Sequence, residues 1–339
     1  MKRPGRGPAA SRAVALSCGI AALLVVIVLS LGIGSRPVPP DVVLDALLGH
    51  PVPEADRRAV VTLRLPRTVL ALAVGIALGV AGALVQALTR NPLADPGILG
   101  VTAGASFAVA LAVAVLGIGS SAGYLAFAFA GALAATVVVA LVGGARRASI
   151  DPVRLTLAGV AVTAILAGVV SGLRVAEPRT FNALQAWEAG SFVGRGWATA
   201  APVWPFLAAG LLLAVLLAGP LNVVGLGEET AAALGASPWR TRLGTVLAVT
   251  LLAGGATAIA GPISFIGLMV PHVARWISGP DQRWITALTV VLAPVLLISA
   301  DILARVVVWP GEMPVGIVTA FLGAPVLIAL ARRGRAIAL

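Results

Sequence analysis

Residues 64–105 read RLPRTVLALAVGIALGVAGALVQALTRNPLADPGILGVTAGA. Two arginines, Arg64 and Arg67, flank Leu65-Pro66, and a charge-free apolar run follows as far as Gln86. That run is about 20 residues long, the length a helix needs to cross a bilayer. It is filled with glycine and alanine, which let neighbouring backbones approach closely. It breaks at Arg90-Asn91-Pro92, and Asp95-Pro96 restarts a helix, with Asp95 as its cap and Pro96 at its first position. A helix packed on all sides, with polar punctuation at both ends, is the expected centre of a membrane bundle.

The remaining composition agrees. Of 339 residues, 59% are hydrophobic and 11% charged, whereas soluble domains carry roughly 25% charge. The fold class expected is an all-α polytopic membrane protein, one transmembrane domain over residues 1–339 with about ten spans. These fall near 13–33, 66–88, 98–117, 123–143, 153–172, 199–219, 243–260, 263–279, 284–303 and 314–331. The first run is long for a signal peptide and no small-x-small cleavage site follows, so it reads as a retained span. Residues 34–63, rich in proline and mixed in charge, suit an external loop. With the N-terminus inside, most of the 24 basic residues fall on the inner side and most of the 13 acidic ones outside, as the positive-inside rule requires. Both termini are then cytoplasmic.

Several function classes are excluded or disfavoured. The net charge of +11 comes from arginines scattered over loop ends, not from a nucleic-acid-binding surface. Cys18 is the only cysteine, and His50 and His272 the only histidines, so no metal site is expected. Lys2 is the only lysine, so the chain cannot supply a Walker A loop. No catalytic constellation is visible. The span interiors read as free of ionisable groups, which disfavours an ion-coupled secondary transporter; energy for pumping then has to come from a partner. A non-transporting membrane scaffold is the other alternative.

Two loops stand out. Residues 174–198 place Phe181, Leu184, Trp187 and Phe192 at roughly helical spacing, which fits either an aromatic anchor in the headgroup layer or a helix bordering the outer mouth. Residues 220–242 form the longest inner loop. There Glu228, Glu229 and Ala231 to Leu234 make a short helix ended by Gly235, and Ser237-Pro238 starts another. By periodicity alone this is either an ordinary solvated loop or a knuckle that another protein grips.

The motifs RLPR at 64–67, Gly82, Gln86, NPLADP at 91–96 and Leu99-Gly100 resemble the permease subunits of ABC importers for iron–siderophore complexes, haem and vitamin B12, the FecCD type. Further matches are Gly227-Glu228, Ala232, Leu234-Gly235 and Arg242, then Gly261-Pro262, Phe265 to Leu268, Pro271-His272, Arg275, Asp301, Arg305, Glu312, Pro314 to Gly316 and Gly323 to Pro325. The resemblance runs from about Arg64 to Arg333.

The resemblance implies a type II ABC importer permease in a bacterial inner membrane. A second permease subunit, identical or paralogous, two cytoplasmic ATPase subunits and an extracytoplasmic substrate-binding protein would be its partners. It implies that Arg64, Arg67 and Arg305 pair with glutamates of the binding protein, although arginines at span ends also snorkel to headgroups. It implies that Gly227, Glu228, Glu229, Ala232, Leu234 and Gly235 couple to the ATPase. Gln86, Asn91 and Pro92 sit in or beside the inner gate, or simply bond across helices and make a turn. Asp301 and Glu312 read as partners of Arg305 or as caps of the last span. No cofactor is expected on this chain, ATP being used by the partner ATPase. A ferric siderophore is the favoured cargo, with haem and cobalamin open.

Overall fold

The computed structural model describes residues 8–144 and 151–332, and every regular element among them is helical. Fifteen α-helices follow in chain order: α1 (Pro8–Gly32), α2 (Pro40–Leu48), α3 (Glu54–Arg57), α4 (Leu65–Thr89), α5 (Val101–Leu116), α6 (Ser121–Val142), α7 (Pro152–Ala176), α8 (Pro178–Glu188), α9 (Trp197–Ala200), α10 (Trp204–Gly225), α11 (Glu228–Ala233), α12 (Pro238–Ala260), α13 (Ile266–Ser278), α14 (Gln282–Val306) and α15 (Val315–Arg332). Among the described residues, seven helical stretches are long and apolar enough to cross a membrane, in place of the roughly ten expected from hydropathy. They contain α1, α4, α6, α7, α10, α12 and α14. α5 and α15 are apolar but shorter, and α13 has only 13 residues.

The centre lies where the sequence places it. In α4 and α12, 78% of the apolar window is buried, against 17% in α1 and 22% in α7. α4 packs against α14, α12 and α13, and α1 packs mainly on α14 while touching α4 through Ser30 and Thr68, whose hydroxyls lie 2.7 Å apart. Lipid tails are as apolar as leucine, so contact here depends on close van der Waals fit. Three glycines of α4 supply it, spaced so that they lie along one side of the helix. A Cβ on Gly75 would lie 2.7 Å from Pro294 Cα, one on Gly79 2.5 Å from Ala293 Cβ, and one on Gly82 1.8 Å from the Gly267 carbonyl oxygen. The backbones of α4, α14 and α13 therefore touch.

Two loop expectations are corrected. Residues 34–63 are largely helical: α2 and α3 are followed by a π-helical turn, Arg58–Arg64, that runs straight into α4. Proline marks helix starts here, with Pro40 at the first position of α2. Val43, Ala46 and Val60 close a small core with Leu31 and Val38. Likewise α10 continues through Pro220 to Gly225, so the loop expected over 220–242 is shorter. Asp95 caps as expected, accepting from the Gly97 amide at 2.8 Å, but it opens a four-residue 3₁₀ turn, Pro96–Leu99, and α5 begins only after Gly100.

Gly82→Ala should destabilise the protein by about 1–3 kcal/mol, the usual overpacking cost, or prevent its recovery from membranes. Gly168→Ala, where nothing lies within 4 Å of the added carbon, should not. Thermal unfolding of the two purified variants checks the difference.

Candidate functional site

At one end of the bundle the three candidate docking arginines turn inward. Arg67 near the start of α4 and Arg305 near the end of α14 converge on Asp301, one turn before Arg305. Arg67 donates from Nε to both Asp301 oxygens at 3.1 and 3.0 Å and from Nη2 to Oδ1 at 2.8 Å. Arg305 Nε donates to Asp301 Oδ2 at 3.0 Å, and its Nη2 reaches the same oxygen. Asp301 is 0% exposed and Arg305 1%. A carboxylate in this position has to be neutralised, and two guanidinium groups do it.

The remaining donors go to the end of α1, whose last carbonyls have no helical partners. Arg305 Nη1 donates to Ser30 O at 2.7 Å, and Arg64 Nη1 to Leu31 O and Gly32 O at 2.8 and 2.9 Å. Arg67 Nη1 donates to Glu312, in the α14–α15 connection, at 2.5 Å. Asp301 pairs with Arg305, as one of the two readings of the sequence had it, whereas Glu312, read as a partner of Arg305 or as a cap, pairs with Arg67. The i, i+4 spacing of Asp301 and Arg305 is the local signal that marks this pair. The reading of span interiors as free of ionisable groups is also corrected, since Arg67, His272, Arg275, Asp301 and Arg305 are buried within α4, α13 and α14.

A cavity of about 480 Å³ opens beside this cluster, lined by Arg36, Arg64, Arg67, Arg195, Arg305 and Glu312 among others. Sequence reasoning gave Arg195 no role. Its Nη1 is buried without a partner, and burial holds its pKa below the ordinary arginine value. α8 packs beside this end with one side, Thr180, Leu184 and Trp187, turned into the bundle. Leu184, Trp187 and Phe192 are buried, leaving Phe181 exposed. The α8–α9 connection is tied to α12 by Ser191 N donating to Ala260 O at 2.7 Å and to α15 by Gly316 N donating to Gly190 O at 3.1 Å.

At the opposite end, Gln86 is fully buried and ties α4 to α13. Its Nε2 donates to Gly267 O and Leu268 O at 3.2 and 3.1 Å. Asn91 lies in an exposed turn that it closes itself, accepting from Leu93 N at 3.0 Å, with Pro92 half-buried beside it. Gln86 and this turn are joined through the backbone, the Asn91 amide donating to Gln86 O at 3.2 Å, while their side chains face different surroundings. Arg90, at φ 51°, ends α4 and donates to Val224 O near the end of α10 at 2.8 Å.

The helix expected after residue 227 is present as α11. It is entered through Gly227 at φ 110° and left through Gly235 at φ 77°, both conformations that favour glycine. Ala231 anchors it at 0% exposure. Glu229, Ala232, Leu234 and Gly235 are exposed. Ser237 stands at the start of α12, but its side chain makes no capping bond. Among the described residues no group of three or more His, Cys, Asp or Glu side chains could hold a metal ion.

The FecCD transport family matches residues 22–333. The ferric enterobactin transport system permease protein FepD of Escherichia coli is 50% identical over 326 residues, covering 96% of this chain and 97% of its own. The ferric enterobactin transport system permease protein FepG of the same organism is 39% identical over 289 residues, covering 85% and 86%. A solved structure described as an inward-facing conformation of a metal-chelate type ABC transporter superposes with a TM-score of 0.77 at 25% identity, covering 95% of this chain and 99% of that one.

Arg67→Ala should cost about 3–5 kcal/mol of stability, because it leaves the Asp301 carboxylate with less compensation. Arg67→Met combined with Asp301→Leu should recover part of that loss. Thermal unfolding of both variants in one detergent checks the pair; equal destabilisation by the single and double variants would contradict it.

Proposed function

The chain belongs to the FecCD transport family, and on that footing we propose that it is the membrane-spanning permease subunit of an ATP-driven importer of ferric siderophores. The observation that carries this is similarity over the whole length to iron-chelate permeases, including 97% of a ferric enterobactin permease subunit. In this reading α5, α13 and α15 complete ten spans, the short α13 being reached through the break at Gly261–Phe265. The end carrying Arg90 and α11 faces the cytoplasm, as do both termini, and the Arg67 end faces the binding protein. The chain binds no cofactor, and two ATPase subunits use ATP. A second permease subunit completes the pathway; FepD and FepG, two ferric enterobactin permease proteins of one organism, support a paralogue.

The geometry suits such a machine at both ends. α11 is a short knuckle between two glycine hinges, with Leu226 and Leu234 exposed on either side of it at 65% and 63%. An ATPase that grips it moves α10 and α12 directly, because the linkers are only a few residues long. Such a displacement biases a bundle with two arrangements, and that is the physical content of alternating access. At the other end, Arg64, Arg67 and Arg305 are committed within the chain, so a partner's glutamates reach them through the arginine-lined cavity. Glu312 is the competitor that an incoming carboxylate replaces on Arg67. Gln86 holds α4 to α13 beside the inner gate, with the Asn91-Pro92 turn below it.

Three outcomes are expected. Deleting the gene should abolish uptake of radio-iron as ferric enterobactin and leave labelled cobalamin uptake intact; the reverse would move the protein to the vitamin branch. Gly235→Val should leave ATP hydrolysis in the assembled transporter while cutting uptake severalfold, and full coupling would count against α11 as the contact. Glu312→Gln should tighten docking of the binding protein at low salt, measured by surface-immobilised titration, and an unchanged affinity would remove Arg67 from the docking surface.

A further inference from the structure

A second arginine site lies at the Arg90 end, and its buried member, Arg275, is assigned none of the roles described above. Arg275, on α13, is 4% exposed, yet its Nε and Nη2 have no hydrogen-bond partner. Its Nη1 has only Gln86 Oε1, at 3.5 Å. A buried guanidinium with most of its donors idle is costly. Arg275 lines a cavity of about 360 Å³ whose wall also holds Arg90, Asn222, Asp281 and Gln282. Asp281 does not satisfy Arg275. No ion pair joins them within 4 Å among the described residues, and Asp281 Oδ1 already accepts from Asn222 Nδ2 at 2.8 Å and from the Arg283 amide at 3.0 Å.

We propose that this cavity binds the phosphodiester of an anionic phospholipid, with Arg275 as its buried ligand and Arg90 at its mouth. Two guanidinium groups against one carboxylate leave a single positive charge, which a phosphodiester monoanion balances and a phosphate dianion exceeds. The planar fork of arginine suits phosphate oxygens. Depth favours a lipid over a free ion. The turn forming one wall leads within two residues of Gln282 to Trp284, over whose ring the Arg12 guanidinium stands at 5.8 Å. Tryptophan and arginine in this pairing mark the headgroup level. The cavity wall also includes Gly225 and Leu226, the last residues before the α11 knuckle, so its occupant braces the root of that element. The site rests on the membrane reading of the fold and not on the identity of the cargo.

Native mass spectrometry of the purified full-length permease, titrated with phosphatidylglycerol or with phosphatidylcholine, tests it. Phosphatidylglycerol should bind the wild type, and Arg275→Gln should weaken it about tenfold, the loss of one charged contact of about 1.4 kcal/mol. Arg275→Lys should recover part of the affinity, and phosphatidylcholine should respond to neither change. Should Arg275→Gln fail to fold, Arg90→Gln at the exposed mouth is read in its place, with weakening in the same direction. Inorganic phosphate is the second arm, followed by thermal unfolding. If phosphate protects through Arg275 while phosphatidylglycerol binding ignores it, the lipid assignment is overturned and the occupant is a soluble ion. Indifference of both probes to Arg275 and Arg90 overturns the site.

Discussion

A carboxylate at 0% exposure inside an apolar bundle is the constraint on which the architecture turns. Asp301 sits on α14, where an unpaired charge would cost several kcal/mol. Its neutralisation draws Arg67 from α4 and Arg305 from its own helix. The spare donors of Arg305, together with those of Arg64, then tie down the frayed carbonyls of α1. One buried charge thus fixes the relative height of three helices that have no backbone bonds between them. Van der Waals packing alone would leave those heights poorly specified, since sliding an apolar helix in lipid exposes nothing that lipid does not accept.

The glycine side of α4 fixes what the ion cluster does not. With Gly75 and Gly79 against α14 and Gly82 against Gly267, the backbones are in contact, and rotation of α4 drives its neighbouring side chains into them. Gln86 adds a polar latch on the same turn of helix, bonded to the carbonyls of Gly267 and Leu268. The Gly267 carbonyl is free because the residue four on, Pro271, has no N–H to donate to it. A proline inside α13 therefore creates an acceptor that the latch uses.

Much of this was legible in the chain, for reasons that differ by element. The 64–105 stretch announces a central helix because absence of charge, length and small residues are all local properties, and α4 is indeed the most enclosed span together with α12. Asp95-Pro96, Gly235 and Pro238 announce their turns because capping chemistry is local too. The polar end of the bundle was legible only in the pairing of Asp301 with Arg305. Arg67 and Asp301 are 234 positions apart, and no spacing rule connects them. An arginine at a span end looks the same in sequence whether it snorkels outward or folds back on a carboxylate. The 34–63 segment was misread because proline signals both a loop and the first turn of a helix, and only the contact of Val60 with Val43 and Ala46 decides between them.

The two polar ends share one rod. Arg67 and Gln86 both belong to α4, and its 25 residues span about 37 Å at helical rise. Arg90 closes the same helix and bonds α10 just before the α11 knuckle. A displacement of α11 therefore reaches α4 through a single hydrogen bond and the packing of α10, and reaches the Arg67 end without crossing any flexible segment. At the other end, under the proposed docking, a carboxylate that displaced Glu312 from Arg67 would release the connection before α15 while Asp301 still held Arg67. Communication between the two faces needs no chain of small adjustments through the bundle. It needs only that α4 have two heights at which its ion pairs and its glycine contacts are both satisfied, and a helix whose neighbours touch it through glycines has few such heights to choose from.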